Sequence, residues 1–188
     1  MTDAPTPPPA ADPAVSPASH DAVPDALADL AFHPGRRPEL TDEQVVRIAA
    51  DCGLTADMRE AFGTSGLSPL GMKMGFRFLE LTPERAVATM PVEGNEQPVG
   101  LLHGGAHLVL AETLGSVAAT LHAGAGRAAV GIEISATHHR AIRAGTVTGT
   151  ATAIHLGRSL TTHEVVMTDE QGRRLSTVRM TNMLLDRG

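Results

Sequence analysis

The sequence predicts an α+β fold, with one long helix followed by four sequential strands that are expected to be antiparallel. Apolar side chains recur at helical spacing over residues 104–122. From residue 130 onward the apolar period changes to two, as in half-buried strands. An Asp-Glu-Gln-Gly turn joins residues 160–168 to residues 173–185 in a predicted hairpin. One helix and a run of sequential strands make an α+β plan.

The chain divides into three predicted parts. Residues 1–35 are interpreted as a disordered, acidic leader, because seven of the 13 prolines fall in the first 24 positions. Residues 36–65 are predicted to form a helical extension that packs on the main domain as a lid or brace. Thr41 is its expected N-cap, with Gln44 as the capping-box partner. The main domain is predicted to span residues 66–188.

The main domain is expected to begin with two strands, residues 72–81 and 84–92, around a Thr-Pro turn. The long helix then ends at Gly124 and Gly126. The strand after it is predicted to direct alternate apolar side chains to one face: Val130, Ile132, Ile134 and Ala136. The next strand alternates threonines with small residues, which should let the helix lie close to the sheet: Gly149, Ala151 and Ala153.

Composition excludes several classes of protein. Cys52 is the one cysteine, so neither an intrachain disulfide nor a four-cysteine zinc site is possible. A formal charge of -6, with no Trp or Tyr and four Phe, argues against a nucleic-acid partner. No apolar run approaches the roughly 20 residues that cross a bilayer. The N-terminus lacks the pattern of a signal peptide, so a cytoplasmic location without membrane association is expected.

The stretch most informative about chemistry lies at the start of the long helix. His103 precedes a Gly-Gly pair, which leaves backbone N–H groups accessible to an anion or a carbonyl oxygen. Glu112 follows two turns later, and Ser116 lies one turn further on the same face. A carboxylate in a helix buried against a sheet is costly unless it is paired or functional. The residues alone leave open that Glu112 is solvent-facing and that the glycines only permit a tight turn.

The spacing Gln97-x5-His103-Gly104-Gly105-x6-Glu112-x3-Ser116 resembles the active-site signature of PaaI-like hotdog thioesterases. Within that family the chain is most similar to the glutamate-type 4-hydroxybenzoyl-CoA thioesterases and to the enterobactin proofreading thioesterases. The segments 130–134, 138–140 and 154–159 extend the similarity over about residues 66–185. The resemblance implies a hotdog fold, in which an antiparallel sheet wraps around one long central helix, and an acyl-CoA thioesterase activity. The N-terminal extension departs from the compact members of the family.

The resemblance also implies a catalytic role for each matching residue. The N–H of Gly104 and the amide of Gln97 would polarise the thioester carbonyl. Glu112, from the neighbouring subunit, would be the nucleophile or the general base, two roles that the sequence does not separate. Ser116 would hold the water or orient Glu112, and His103 would help place Gln97 and the leaving thiolate.

The CoA moiety is expected to lie along the surface strands. By the resemblance it would contact one segment after the helix and one later loop: Gly131, His138, His139, Arg140, His155, Gly157, Arg158 and Ser159. Arg140 and Arg158 are the predicted phosphate contacts, because a guanidinium fork suits phosphate oxygens. No cofactor is expected, since the CoA thioester is the substrate.

Three alternatives compete with this interpretation. A zinc site is suggested by His103 and His107 at i, i+4, but no HExxH motif accompanies them and no metal is expected. A dehydratase of the same fold would need a different acid–base arrangement. A non-catalytic acyl-CoA-binding regulatory module would not need both Gln97 and Glu112. The fold and its shared site imply a homo-oligomer, either a dimer or a dimer of dimers (homotetramer).

Overall fold

The computed structural model describes residues 41–62 and 68–186, which form four helices and eight strands. The helices are α1 (Asp42–Asp51), α2 (Ala56–Phe62), α3 (Pro69–Lys73) and α4 (Gly104–Ala123). The strands are β1 (Arg77–Leu81), β2 (Arg85–Pro91), β3 (Glu96–Gln97), β4 (Leu101–Leu102), β5 (Arg127–His138), β6 (Thr146–Leu156), β7 (Leu160–Thr168) and β8 (Arg174–Asp186). The predicted leader, residues 1–35, lies outside the described residues, and the predicted extension is described over residues 41–62.

The described strands other than β3 and β4 form one antiparallel sheet, in the order β1-β2-β6-β7-β8-β5. β3 and β4 form a separate two-stranded hairpin that leads into α4. The long helix packs across one face of the sheet, so the predicted α+β architecture is confirmed. None of the helices in the described ranges is long and apolar enough to cross a membrane.

The predicted helical extension consists, over residues 41–62, of two short helices, α1 and α2. Thr41 and Gln44 form the predicted capping box at the start of α1. The helix breaks after Asp51 because Gly53 adopts a φ of 77°. That conformation brings the backbone of Gly53 against the carbonyl of Phe78, a close approach that favours glycine. The amide of Phe78 in turn donates to the carbonyl of Cys52 at 2.8 Å.

α1 packs on the main domain through its apolar face. Ile48 and Cys52 are buried in the same core cluster as Phe76 and Phe78, which lie just before and within β1. The extension therefore covers the end of the sheet at which the main domain begins.

The predicted strand over residues 72–81 is wrong in its first half. Residues 69–73 form the short helix α3, and the strand begins only at Arg77. Ser68 caps this helix by accepting a hydrogen bond from the N–H of Gly71, and Pro69 occupies its first turn. A serine cap followed by proline is a helix start, and it outweighs the apolar alternation that suggested a strand.

The helix α4 is confirmed with its predicted start and end, and it lies close to the sheet because β6 offers small side chains there. Leu110 and Leu114 are fully buried at this contact. A Cβ placed on Gly149 would lie 2.9 Å from Leu114 Cδ1 and 3.0 Å from Leu110 Cδ2. Glycine at position 149 thus sets how closely the helix approaches the strand.

The predicted single apolar face of β5 is wrong, because the strand carries a bulge between Gly131 and Glu133. Cross-strand pairing aligns Gly131 with the buried Asn182, and Ile134 with the buried Met180. The bulge therefore reverses which face of the sheet the alternate side chains occupy on its two sides. Val130 and Ile132 are left 45% and 50% exposed, whereas Ile134 packs against the core.

The predicted hairpin is confirmed as β7 and β8. Asp169 anchors its turn by accepting hydrogen bonds from the N–H groups of Gln171 and Arg173. The Arg173 guanidinium adds an ion pair at 2.7 Å, and Gly172 supplies the positive φ that the turn requires.

Substitution of Gly149 by valine tests the close approach of helix and sheet. We expect the free energy of unfolding to fall by about 1–3 kcal/mol, because the added methyl groups overlap Leu110 and Leu114. Urea unfolding at a fixed protein concentration measures this. Thr152→Val, on the exposed face of the same strand, is the matched control. Equal stability of the two variants would contradict this account of the contact.

Candidate active site

The start of α4 is held in place by hydrogen bonds on both sides of His103. The N–H of His103 donates to the carbonyl of Asn95 at 2.9 Å, and its side chain Nδ1 accepts from the N–H of Gly105 at 2.9 Å. The carbonyl of His103 accepts from the N–H of Ala106. Helix geometry leaves the N–H of Gly104 without an intrahelical acceptor, at the positive end of a helix of 20 residues. An oxygen that carries negative charge is favoured at this point.

The hairpin before the helix carries Gln97, which is half-buried. The Gln97 carbonyl accepts from the N–H of Gly100 at 2.9 Å, and Gly100 has a φ of 70°. The Arg143 guanidinium donates to the carbonyl of Val99 at 3.2 Å and so fixes the tip of the hairpin. Among the described residues no partner is found for the Gln97 side-chain amide, which leaves it available to a ligand.

His138 lies against the helix start. A Cβ on Gly104 would be only 3.0 Å from His138 Nε2, so the first glycine of the pair makes room for this ring. His138 is exposed at the end of β5 and is aligned with Ser176 of β8. The structure thus brings together Gly104, His103 and His138 in one chain.

His107 is a buried histidine behind this group, and its contacts were not predicted from the sequence. It is 4% exposed, its Nδ1 lies 3.1 Å from the Ser176 hydroxyl, and its ring centroid is 5.2 Å from that of His138. Burial, and secondarily the nearby charge of His138, lowers the pKa of His107 to about 4. The imidazole is therefore neutral at pH 7. In the described ranges no three His, Cys, Asp or Glu side chains form a group that could hold a metal ion.

Glu112 and Ser116 lie further along α4, beside the edge strand β5. The Glu112 carboxylate is exposed in the single chain, and its Oε1 is 3.9 Å from the point where a Cβ on Gly131 would lie. Ser116 donates its hydroxyl hydrogen to Oδ1 of Asn182 at 3.3 Å. Asn182 was not among the site residues predicted from the sequence. The available signal was its position in β8, where a polar residue lies between the inward-facing Met180 and Leu184.

Gly104 and Glu112 do not converge within one chain. Glu112 lies eight positions after Gly104 in the helix, which corresponds to about 12 Å along the helix axis. A carbonyl carbon within reach of the Gly104 N–H is therefore too distant for attack by the Glu112 carboxylate of the same chain.

The predicted CoA-binding residues fall into two groups at opposite ends of β5. His139, whose Nε2 lies 2.9 Å from the Thr177 hydroxyl, and Arg140 follow the carboxyl end of the strand. His155, Gly157, Arg158 and Ser159 lie near its amino end, where Arg127 begins the strand. The 11 steps along the chain from Arg127 to His138 span roughly 35 Å of strand. The structure therefore does not bring the two groups together in one chain.

The loop of residues 157–159 directs three consecutive carbonyls into the protein. His122 Nε2 contacts the Gly157 carbonyl at 3.0 Å, and the Arg127 guanidinium donates to the Arg158 carbonyl at 2.9 Å. The Ser159 carbonyl accepts from the N–H of Leu184 at 2.8 Å. Next to the loop is an open depression of about 480 Å³, lined by Arg127, Arg158, Ser159, Leu184 and Asp186. Arg127 is paired with Asp186 at 3.1 Å, so Arg158 is the guanidinium group in the lining that suits an anionic ligand.

The fold and these residues define a class of protein. A 20-residue helix on a six-stranded antiparallel sheet, opening with His-Gly-Gly and carrying a glutamate two turns later, is the arrangement of hotdog-fold thioesterases. Residues 99–176 match the model of the Thioesterase superfamily.

Comparison with known proteins identifies the family. The proofreading thioesterase EntH of Cronobacter turicensis is 44% identical over 127 residues, which are 67% of this chain and 93% of that protein. A mutant thioesterase of Pseudomonas aeruginosa superposes with a TM-score of 0.64 at 36% identity, over 70% of this chain and 96% of that one. A thioesterase of Haemophilus influenzae gives a TM-score of 0.60 at 35% identity, over 62% of this chain and 82% of that one. The chain belongs to the Thioesterase superfamily; its hotdog fold is confirmed, and it is a thioester hydrolase.

The buried His107 predicts a pH dependence of stability. Between pH 6.5 and about 4 the unfolded state binds a proton at this imidazole and the folded state does not, so stability falls as the pH falls through this window. The buried His163, whose pKa is also lowered by burial, acts in the same direction. We expect His107→Gln to lose less stability than the wild type between pH 7 and pH 4.5, by on the order of 3 kcal/mol at most.

Urea midpoints at the two pH values measure this difference. His155→Gln, which removes an exposed histidine, is the control and should keep the wild-type pH dependence. The assignment fails if the His107 variant shows the same pH dependence as the wild type.

Proposed function

We propose that the protein hydrolyses acyl-CoA or aroyl-CoA thioesters, with Glu112 as nucleophile or general base and with Gly104 and Gln97 polarising the carbonyl. The observation that carries the proposal is the open N–H of Gly104 at the start of a long helix that also presents an exposed carboxylate. The relatives that are named thioesterases support the reaction class.

The carbonyl oxygen is proposed to lie at the N–H of Gly104. As the thioester is attacked, charge develops on that oxygen, and a donor already aimed at it stabilises the transition state more than the substrate. One such donor contributes about 3–4 kcal/mol. The Gln97 amide, held on the neighbouring hairpin, is the proposed second donor, and His103 is proposed to support Gln97 and the leaving thiolate.

Glu112 is proposed to act on a substrate that is bound at the Gly104 of another subunit. The separation of about 12 Å along the helix supports this proposal, because a carbonyl at the Gly104 N–H lies far from the carboxylate of the same chain. The carboxylate instead lies next to Gly131 on the edge strand β5, where a second copy of the chain can approach.

The edge strand supports a two-fold dimer. β5 is 12 residues long and is paired on one side only within the described sheet. Antiparallel pairing of two such edges about an axis between Ile134 and Ser135 would place Gly131 of one strand beside His138 of the other. Glu112 of the partner subunit would then face the Gly104 that lies against His138.

The same two-fold pairing of β5 strands would complete the CoA site. Arg140 follows the carboxyl end of β5, and Arg158 is tied to its amino end through Arg127. A two-fold axis through the strand would bring Arg140 of one subunit near the amino end of β5 in the other subunit. Arg158 of that other subunit lies at the same end. Both guanidinium groups are then proposed to contact the phosphates of one CoA.

The outer face of the sheet supports a further contact between dimers. Val130 is aligned with Met183, and Met183 with Leu160, and these three side chains are 39–45% exposed. Adjacent apolar side chains on one face favour burial against another copy. A dimer of dimers is the assembly that would cover them.

Substitution of Glu112 by glutamine tests the proposed base or nucleophile. We expect turnover of aryl- and acyl-CoA thioesters, followed by thiol release, to fall by about 10²–10⁴-fold, because glutamine neither attacks nor accepts the proton. Glu164→Gln, an exposed carboxylate on β7, is the control and should keep wild-type turnover. Undiminished turnover of a correctly assembled Glu112 variant would overturn the proposed mechanism.

Substitution of Gly104 by proline tests the proposed N–H donor. Proline suits the first helical position but carries no N–H, so we expect kcat to fall by about 10²–10³-fold. Gly104→Ala is the matched control, because it adds a Cβ near His138 and keeps the donor. Equal losses in the two variants would assign the effect to steric overlap rather than to the missing N–H.

A mixture of the two defective chains tests the sharing of the site. Co-expressed Glu112→Gln and Gly104→Pro chains should recover about a quarter of wild-type turnover, because half of random dimers are mixed and one of their two sites is intact. Sites that lie within single chains would give no recovery.

A further inference from the structure

Asn182 is a fully buried amide beneath the catalytic helix. It lies on β8 between the inward-facing Met180 and Leu184, and it is 0% exposed. Cross-strand pairing aligns it with Gly131 of β5 and with Thr161 of β7. A buried amide is costly unless its donor and its acceptor are both satisfied, and for Asn182 both partners lie on α4.

The Gly115 carbonyl determines the orientation of this amide. Asn182 Nδ2 donates to that carbonyl at 3.4 Å, and a carbonyl can only accept. Oδ1 therefore points to Ser116, whose hydroxyl donates to it at 3.3 Å. The amide thus accepts from one helix residue and donates to its neighbour.

Ser116 differs in this respect from the other hydroxyl groups of the same helix. Thr113 and Thr120 donate to carbonyls one turn earlier in α4, at 2.8 Å each. Ser116 donates across to the sheet instead. Because a hydroxyl has one hydrogen, Ser116 can only accept a hydrogen bond from any further partner.

The accepting side of Ser116 lies next to Glu112. The two residues are spaced i, i+4 on one face of α4. Met180 fills the space over Gly131, since its Cε is 2.6 Å from the point where a Cβ on Gly131 would lie. Asn182 Oδ1 and Glu112 Oε1 lie around the same point, at 3.8 Å and 3.9 Å. A water molecule between Glu112 and Ser116 would meet two acceptors.

We propose that Asn182 is a positioning residue that makes Ser116 an obligate acceptor toward the hydrolytic water on which Glu112 acts. The inference rests on the proposed function and deepens it, within the general-base role of Glu112, by naming the residue that orients Ser116. Ser116 has no hydrogen to offer the carboxylate, so it does not orient Glu112 directly.

The water donates one O–H to the Glu112 carboxylate and the other to the Ser116 oxygen. Its oxygen lone pair is thereby directed at the thioester carbonyl carbon. Glu112 takes the first proton as the C–O bond forms. The C–S bond then breaks, and the thiolate receives that proton from Glu112. The products are one carboxylic acid and one thiol, and the carboxylate is regenerated.

Asn182→Leu tests the inference, because leucine fills a similar volume and cannot accept from Ser116. We expect kcat to fall about fivefold to tenfold, the effect of one hydrogen bond, while KM stays at the wild-type value. In a Ser116→Ala background the same substitution should change kcat by less than about twofold, since the residue through which it acts is absent. The same results are expected for Asn182→Ala, which replaces Asn182→Leu if the leucine variant does not assemble.

Thr120→Ala, which removes a hydroxyl that bonds only within the helix, is the control and should leave kcat unchanged. Thermal unfolding and the size of the assembly are measured for every variant. An equal loss of kcat with and without Ser116 would show that Asn182 has a structural role and would overturn the inference. An unchanged kcat in Asn182→Leu would do the same.

Glu112→Gln, measured alongside, separates this inference from the proposed function. If that variant is inactive while Asn182→Leu is unaffected, only the positioning role fails. If the Glu112 variant keeps full turnover, the proposed function fails first.

Discussion

The close packing of α4 on the sheet is the constraint on which the rest of the structure depends. Leu110 and Leu114 are buried because Gly149 offers no side chain beneath them, and Gly115 similarly approaches Met180 of β8, which is itself buried. The helix can then be apolar along most of its length and still present its first N–H groups at one end of β5. The positions of Gly104, Glu112 and Ser116 relative to the strands follow from this one contact.

Within one chain, the residues proposed to act together in the reaction lie far apart. The helix start and the carboxylate lie two turns apart, and the two cationic groups lie at opposite ends of one strand. A carbonyl-polarising donor and a base that belong to one reaction must lie within a few ångströms of the same carbon. Assembly is therefore a condition for the proposed catalysis, in addition to any contribution it makes to stability.

The sequence predicts the features that local rules determine and misses those that depend on distant contacts. The start of α4 at Gly104, the Thr41 capping box and the turn at Asp169 each have a local signal, and all are observed. The bulge in β5 has no such signal, and it reversed the expected face of Val130. The bond between Ser116 and Asn182 joins residues 66 positions apart, so only the folded structure reveals it. The roles of the individual site residues stay predictions until the variants are measured.

The buried cysteine of the extension has a consequence for an enzyme whose product is a thiol. Burial in the core, with a smaller contribution from Asp51, raises the pKa of Cys52 to about 11. The reactive thiolate is then roughly one part in 10⁴ at pH 7. Thiol–disulfide exchange requires both a thiolate and access, and Cys52 has little of either. Cys52 is therefore protected from exchange with any disulfide that the released thiols form once they are oxidised.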